Sequence, residues 1–127
     1  MMGREDYVSL EVAKLLKEKG FDKECEYYIS ANTSQVFNKG RLNPFKEEGH
    51  ELFLCPTLYE AQKWLRNKKT YISALPTRYN GVTVWYYEVA NDNDPDDIFY
   101  TTSQDTYPNY ETALNEGIKY ALNSFEL

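Results

Sequence analysis

Asp92, Asp94 and Asp96 stand at alternate positions, spaced like the first three ligands of a calcium-binding loop. Oxygen donors at that interval on a turning backbone can converge on one hard cation. The pattern fails at the next step, because Asp97 stands where the turn glycine is needed and Ser103 where a bidentate glutamate closes the site. The run is read as a solvated acidic loop, with calcium at Asp92, Asp94 and Asp96 as the alternative and no other metal or cofactor expected.

Nucleophilic chemistry finds less support. His50 is the only histidine, and no nucleophile or metal-ligand spacing accompanies it in the sequence, so it reads as a surface histidine. Cys55 lies two residues before Thr57, where the positive end of a following helix would favour a thiolate. The alternative reading, adopted here, is that Cys25 and Cys55 are buried small hydrophobes, reduced and unpaired. No phosphate-binding glycine loop or nucleophile elbow is present. The chain is therefore expected not to be an enzyme.

Charge narrows the partners. Fourteen Lys and Arg against twenty Asp and Glu leave a net charge of -6, which opposes nucleic acid and anionic membrane through long-range repulsion. No stretch of eighteen apolar residues occurs, and Met1-Met2-Gly3-Arg4-Glu5-Asp6 contains no apolar run of signal-peptide length. These features point to a cytoplasmic protein. Twelve tyrosines among 127 residues are the compositional oddity.

At this length one α+β domain spanning 1–127 is expected. Its predicted order is αββα followed by βββα, with an antiparallel sheet packed against three helices. The first helix opens at Ser9, carries Val12, Leu15 and Leu16 on one face, and stops at Gly20 with Phe21 folding back. Thr57 and Glu60 have the spacing of a capping box for the second, whose stripe is Leu58, Ala61 and Leu65. Asn109 caps the third, which carries Tyr110, Leu114, Ile118, Ala121, Leu122 and Phe125 at helical spacing, with Gly117 as its weak point unless close packing requires it. Tyr27 to Ile29 and Leu52 to Leu54 read as short strands, separated by a flexible polar insertion over 31–51 with an optional strand at Gln35 to Phe37.

The second half contains the firmest local signal. Asn80-Gly81 between two β-rich runs predicts a two-residue type I′ turn, and that turn fixes the register from Tyr79 opposite Val82 to Tyr71 opposite Ala90. Ile72, Ala74, Pro76, Trp85, Tyr87 and Val89 then share the more apolar face, which should meet the helices. Pro76 falls where its missing N–H points away from the partner, so residues 70 to 79 form an edge strand. A third strand runs from Ile98 to Thr102. The other face presents Tyr71, Leu75, Tyr79, Val84 and Tyr86 as a candidate protein-binding surface, unless the first strand pair covers it.

The helix, three strands, helix order after Thr57 is also that of double-stranded-RNA-binding domains. Such domains grip phosphate with cations at the start of the last helix, where this chain reads Asn109-Tyr110-Glu111-Thr112.

The run Tyr7 to Phe21, Pro56-Thr57 with Trp64-Leu65-Arg66, and Tyr110 to Leu114 with Gly117-Ile118 resemble small uncharacterised proteins of Bacteroidales phages, prophages and mobile elements. The matching residues are mostly caps and core positions, so the resemblance implies a shared fold and a mobile-element setting, and brings no activity or ligand. The functional expectation is a non-enzymatic accessory protein that binds another protein, with the edge strand as a route to a homo-oligomer. The alternative from another class is an acidic decoy for a host nucleic-acid-binding protein, using Asp92 to Asp97 and the acidic start of the last helix.

Overall fold

In the computed structural model, which describes residues 6–127, helix α1 (Leu10–Glu18) begins where the Ser9 hydroxyl accepts the Val12 N–H at 3.3 Å. It ends where the Phe21 N–H reaches back to the Leu16 carbonyl at 2.9 Å. Helix α3 (Leu58–Arg66) has both halves of its capping box, Glu60 N–H to Thr57 Oγ1 at 3.1 Å and Thr57 N–H to Glu60 Oε1 at 2.9 Å. Helix α4 (Tyr110–Ser124) is capped by Asn109, which accepts the Thr112 N–H at 2.8 Å. All three starts agree with the sequence.

The strands form two antiparallel sheets instead of one. Strands β1 (Tyr27–Ser30), β2 (Val36–Asn38) and β3 (Leu52–Leu54) pair in the order β2-β1-β3, and β4 (Thr70–Tyr79), β5 (Val82–Asn91) and β6 (Phe99–Thr102) in the order β4-β5-β6. The hairpin register runs from Tyr79 opposite Val82 to Thr70 opposite Asn91, and β4 is an edge, as its turn and proline predicted. Asn80 and Gly81 at the turn have φ of 50° and 78°.

The segment expected as a flexible polar insertion holds β2, a single 3-10 turn (Lys39–Arg41) and a fourth helix, α2 (Leu42–Glu47). Its two phenylalanines explain why. Phe37 and Phe45 are buried and stack with ring centroids 3.9 Å apart, so α2 lies over the side of the first sheet that carries Tyr28 and Phe37.

Helix α1 packs on β1 and β3, α4 packs on β4 and β5, and the two helices pack on each other. The helices therefore lie between the sheets. Their contact is fastened by Ser9 and Asn115, 106 residues apart, whose paired bonds measure 3.0 and 3.1 Å. Val12, Leu16, Ile29, Leu65, Val89, Ile118 and Leu122 are 1% exposed or less and join both halves in one core.

Gly117 sets the distance between α4 and the hairpin. A Cβ there would meet Ile72 Cγ2 at 2.8 Å and Tyr87 Cβ at 3.0 Å, closer than carbon atoms pack. The weak point of the helix is thus a requirement of its packing. Gly117→Ala should destabilise the protein by about 1–3 kcal/mol in a denaturant melt, although alanine alone favours a helix. At the other end of the core, burial of the Tyr7 phenol, reinforced by its hydrogen bond to Tyr27, pushes its pKa from 10.0 up to about 12. Because the folded state holds that proton more tightly, its contribution is complete below pH 10 and lost as pH rises to about 12. Melting temperatures over this interval should fall less steeply in Tyr7→Phe than in the native protein.

Candidate functional site

The two sides of the β4-β5-β6 sheet differ. Ile72, Ala74 and Val89 are buried against the helices, while Trp85 meets Tyr110 edge-on at 5.6 Å and Tyr87 lies beside Tyr107 and Tyr120. Burial raises the pKa of the Tyr87 and Tyr107 phenols. The opposite side receives no helix among the described residues, and the first sheet lies beyond the helices, so the strand pair that would have covered this face does not.

Five residues predicted for that face lie on it together. Tyr71 and Tyr79 are 39% and 66% exposed, and Leu75, Val84 and Tyr86 are half-buried by their neighbours. Strand alternation places them on one surface, in cross-strand pairs Leu75–Tyr86 and Thr77–Val84. The face is wider than the sequence indicated. Val82 pairs with Tyr79, and Tyr100, 60% exposed, lies opposite Ala90, which is opposite Tyr71. Tyr100 was missed because the register of β6 is set by a loop with no diagnostic turn. The alternation of Tyr100 and Thr102 with Phe99 and Thr101 was the available signal.

The tyrosines divide accordingly. Seven of the twelve, Tyr7, Tyr27, Tyr28, Tyr87, Tyr107, Tyr110 and Tyr120, lie against other aromatic rings. Tyr71, Tyr79, Tyr86 and Tyr100 make no ring contact and no side-chain hydrogen bond among the described residues, and neither does Tyr59 on α3. Four of these five share the bare face.

Its outer border is guarded. Ladder alternation directs the backbone groups of Ile72, Ala74, Pro76 and Arg78 to the open edge of β4. The Ile72 carbonyl already accepts Gln62 Nε2–H at 2.7 Å, and Pro76 has no N–H to offer. Gln62 also stands at the side of Ile72, where an added strand would lie, so of these four residues Ala74 and Arg78 are the ones left with both edge groups.

The remaining candidates are placed as follows. Among the described residues no group of three or more Asp, Glu, His or Cys side chains is arranged to hold a metal ion. Asp92, Asp94 and Asp96 are not drawn together: Asp94 Oδ1 accepts the Asp96 N–H at 2.9 Å, an internal turn of the loop. Cys25 and Cys55 are both buried and not joined in a disulfide, and burial pushes the Cys25 thiol up to about 11, away from the reactive thiolate. The acidic loop and Glu111 lie at opposite ends of α4, since Tyr110 touches Trp85 while Phe125 touches Phe99 beside the loop. Fifteen helical residues separate them by about 22 Å.

His50 requires a correction. Instead of standing alone on the surface it is 13% exposed, 2.7 Å from Ser30 Oγ through Nδ1 and 3.2 Å from Glu48 Oε2 through Nε2. Nε2–H donating to the carboxylate leaves Nδ1 to accept the serine proton, an order of groups that resembles a nucleophile, base and acid. Ser30 is fully buried, however, and its Oγ also accepts the Asn32 N–H at 3.2 Å, so no substrate reaches it. The chain of bonds fastens β1 to the segment after α2. It was illegible in the sequence because twenty residues separate Ser30 from His50.

No helix among the described residues is long and apolar enough to cross a membrane. No family model, curated protein or solved structure matches the chain. Ser30→Ala, which strands His50 Nδ1 and the Asn32 N–H, should lower stability by about 1–3 kcal/mol. Native-state hydrogen exchange should place the loosened amides at Asn32 and around His50 and leave those of β4 and β5 unchanged.

Proposed function

We propose that this protein is a non-enzymatic accessory protein, of the phage or mobile-element kind its helices resemble, that binds another protein through the outer face of the β4-β5-β6 sheet. The observation that carries this reading is the grouping of Tyr71, Tyr79, Tyr86 and Tyr100, none of which makes a ring contact or side-chain hydrogen bond among the described residues, on a sheet face that no described helix covers. Tyrosine supplies large, rigid contact area with few rotatable bonds and a hydroxyl that tolerates water until a partner arrives.

The face, rather than the edge of β4, is the contact, because Gln62 and Pro76 oppose strand addition. The decoy reading has less support. A mimic of nucleic acid needs a continuous acidic track, and its two parts lie about 22 Å apart at the ends of α4. A double-stranded-RNA contact also lacks cations at Asn109 to Thr112.

The triple variant Tyr71→Ala, Tyr79→Ala, Tyr86→Ala should keep its far-ultraviolet dichroism and lose the proteins that the native chain captures from a bacterial lysate. Removal of central aromatic anchors typically costs about 2 kcal/mol or more each. Tyr59→Ala, an exposed tyrosine off the face, should retain them. A folded triple variant that captures every partner at native strength would show the reading to be wrong.

A further inference from the structure

Glu88 sits in the middle of the bare face. It pairs with Ser73 on one side and Thr102 on the other, two residues along β5 from Tyr86. Tyr71 and Tyr100 flank Ala90 in the adjacent row, so both lie diagonal to Glu88, within reach of long side chains. Glu88 is the only acidic residue of the three strands, and the only basic one, Arg78, is on the opposite side of the ribbon. Glu88 as a residue is half-buried, and no ion pair or hydrogen bond engages its carboxylate among the described residues. A carboxylate without a partner on an aromatic surface gains when a cation is brought to it.

We propose that this face recognises a cationic side chain, arginine above all, seated on Glu88 among the rings of Tyr71, Tyr86 and Tyr100 and carried by an extended segment of the partner. The proposal rests on the protein-binding reading above and names its partner's chemistry. A guanidinium suits the setting because its plane stacks on aromatic faces while its fork of donors meets a carboxylate; a lysine ammonium offers only the charge. A second copy of this chain suits it poorly, since it brings the same carboxylate and the same net charge of -6. Extent agrees. Ten-residue strands and a four-residue neighbour span roughly 400 Å², against the roughly 800 Å² per partner of a stable protein pair. An extended segment matches that area.

The test is a nitrogen-proton correlation titration at low salt with three blocked tripeptides, Leu-Arg-Leu, Leu-citrulline-Leu and Leu-Lys-Leu. The arginine peptide should bind at least about fivefold more tightly than its neutral citrulline counterpart, with lysine between them. Amide shifts should centre on 86–90 and on Tyr100. Glu88→Gln, which keeps the shape and removes the charge, should abolish the preference. Equal binding of the arginine and citrulline peptides, an unchanged preference in Glu88→Gln, or shifts centred on the acidic loop at 92–97 would each overturn the cation proposal. The lysate experiment tests the face separately: if the tyrosine variant loses partners while the peptides show no charge preference, the surface stands and only the arginine is wrong.

Discussion

Helix α4 meets the β4–β5 hairpin without an intervening side chain at Gly117, and much of the molecule follows from that contact. Because the helix backbone comes so close to Ile72 and Tyr87, a single helix, with α3 beside it, covers the inner side of two ten-residue strands. The opposite side of α4 is then free to bind α1, and α1 carries the first sheet. Among the described residues, the order of layers leaves no element to cover the outside of the second sheet. A larger residue at 117 would push the hairpin outward and open the core between Leu114, Ile118 and Val89.

The two sheets solve one problem differently. An antiparallel sheet with one face buried has a second face that must be covered or made compatible with water. The first sheet is covered by α2, through the stack of Phe45 on Phe37 and the bond from His50 to Ser30. The second is left open and surfaced with tyrosine and threonine, which favour strands and remain wettable, together with Leu75, Val82, Val84 and the single carboxylate of Glu88. Tyrosine serves both sides of this sheet: Tyr87 packs against the core on the inner side, and Tyr86, its neighbour in sequence, is on the outer side. Burial of the inner tyrosines is reflected in the raised pKa of Tyr87 and Tyr107.

Features encoded by neighbouring residues were legible in the sequence. The caps at Ser9, Thr57 and Asn109 depend on bonds three residues long, and the hairpin register follows from the positive φ that Asn80 and Gly81 tolerate. Features that depend on distant partners were not. The division into two sheets follows from the docking of α1 on α4, 106 residues apart at Ser9 and Asn115. The structure within 31–51 follows from a ring stack between Phe37 and Phe45 that composition, dominated there by polar residues, concealed. The bare face was therefore only half visible: its β4 and β5 residues were read from the turn, whereas Tyr100 and the bareness itself required the tertiary arrangement.

The obstruction of the β4 edge by Gln62 and Pro76 has a consequence for how freely the neighbouring surface can vary. An aromatic sheet face beside an open strand edge is a template for stacking chain on chain into fibres. With two of its edge positions closed, the hairpin can exchange one exposed aromatic or aliphatic side chain for another without each change creating a path to polymerisation. Variation on the face is thereby separated from variation that would open a path to self-assembly.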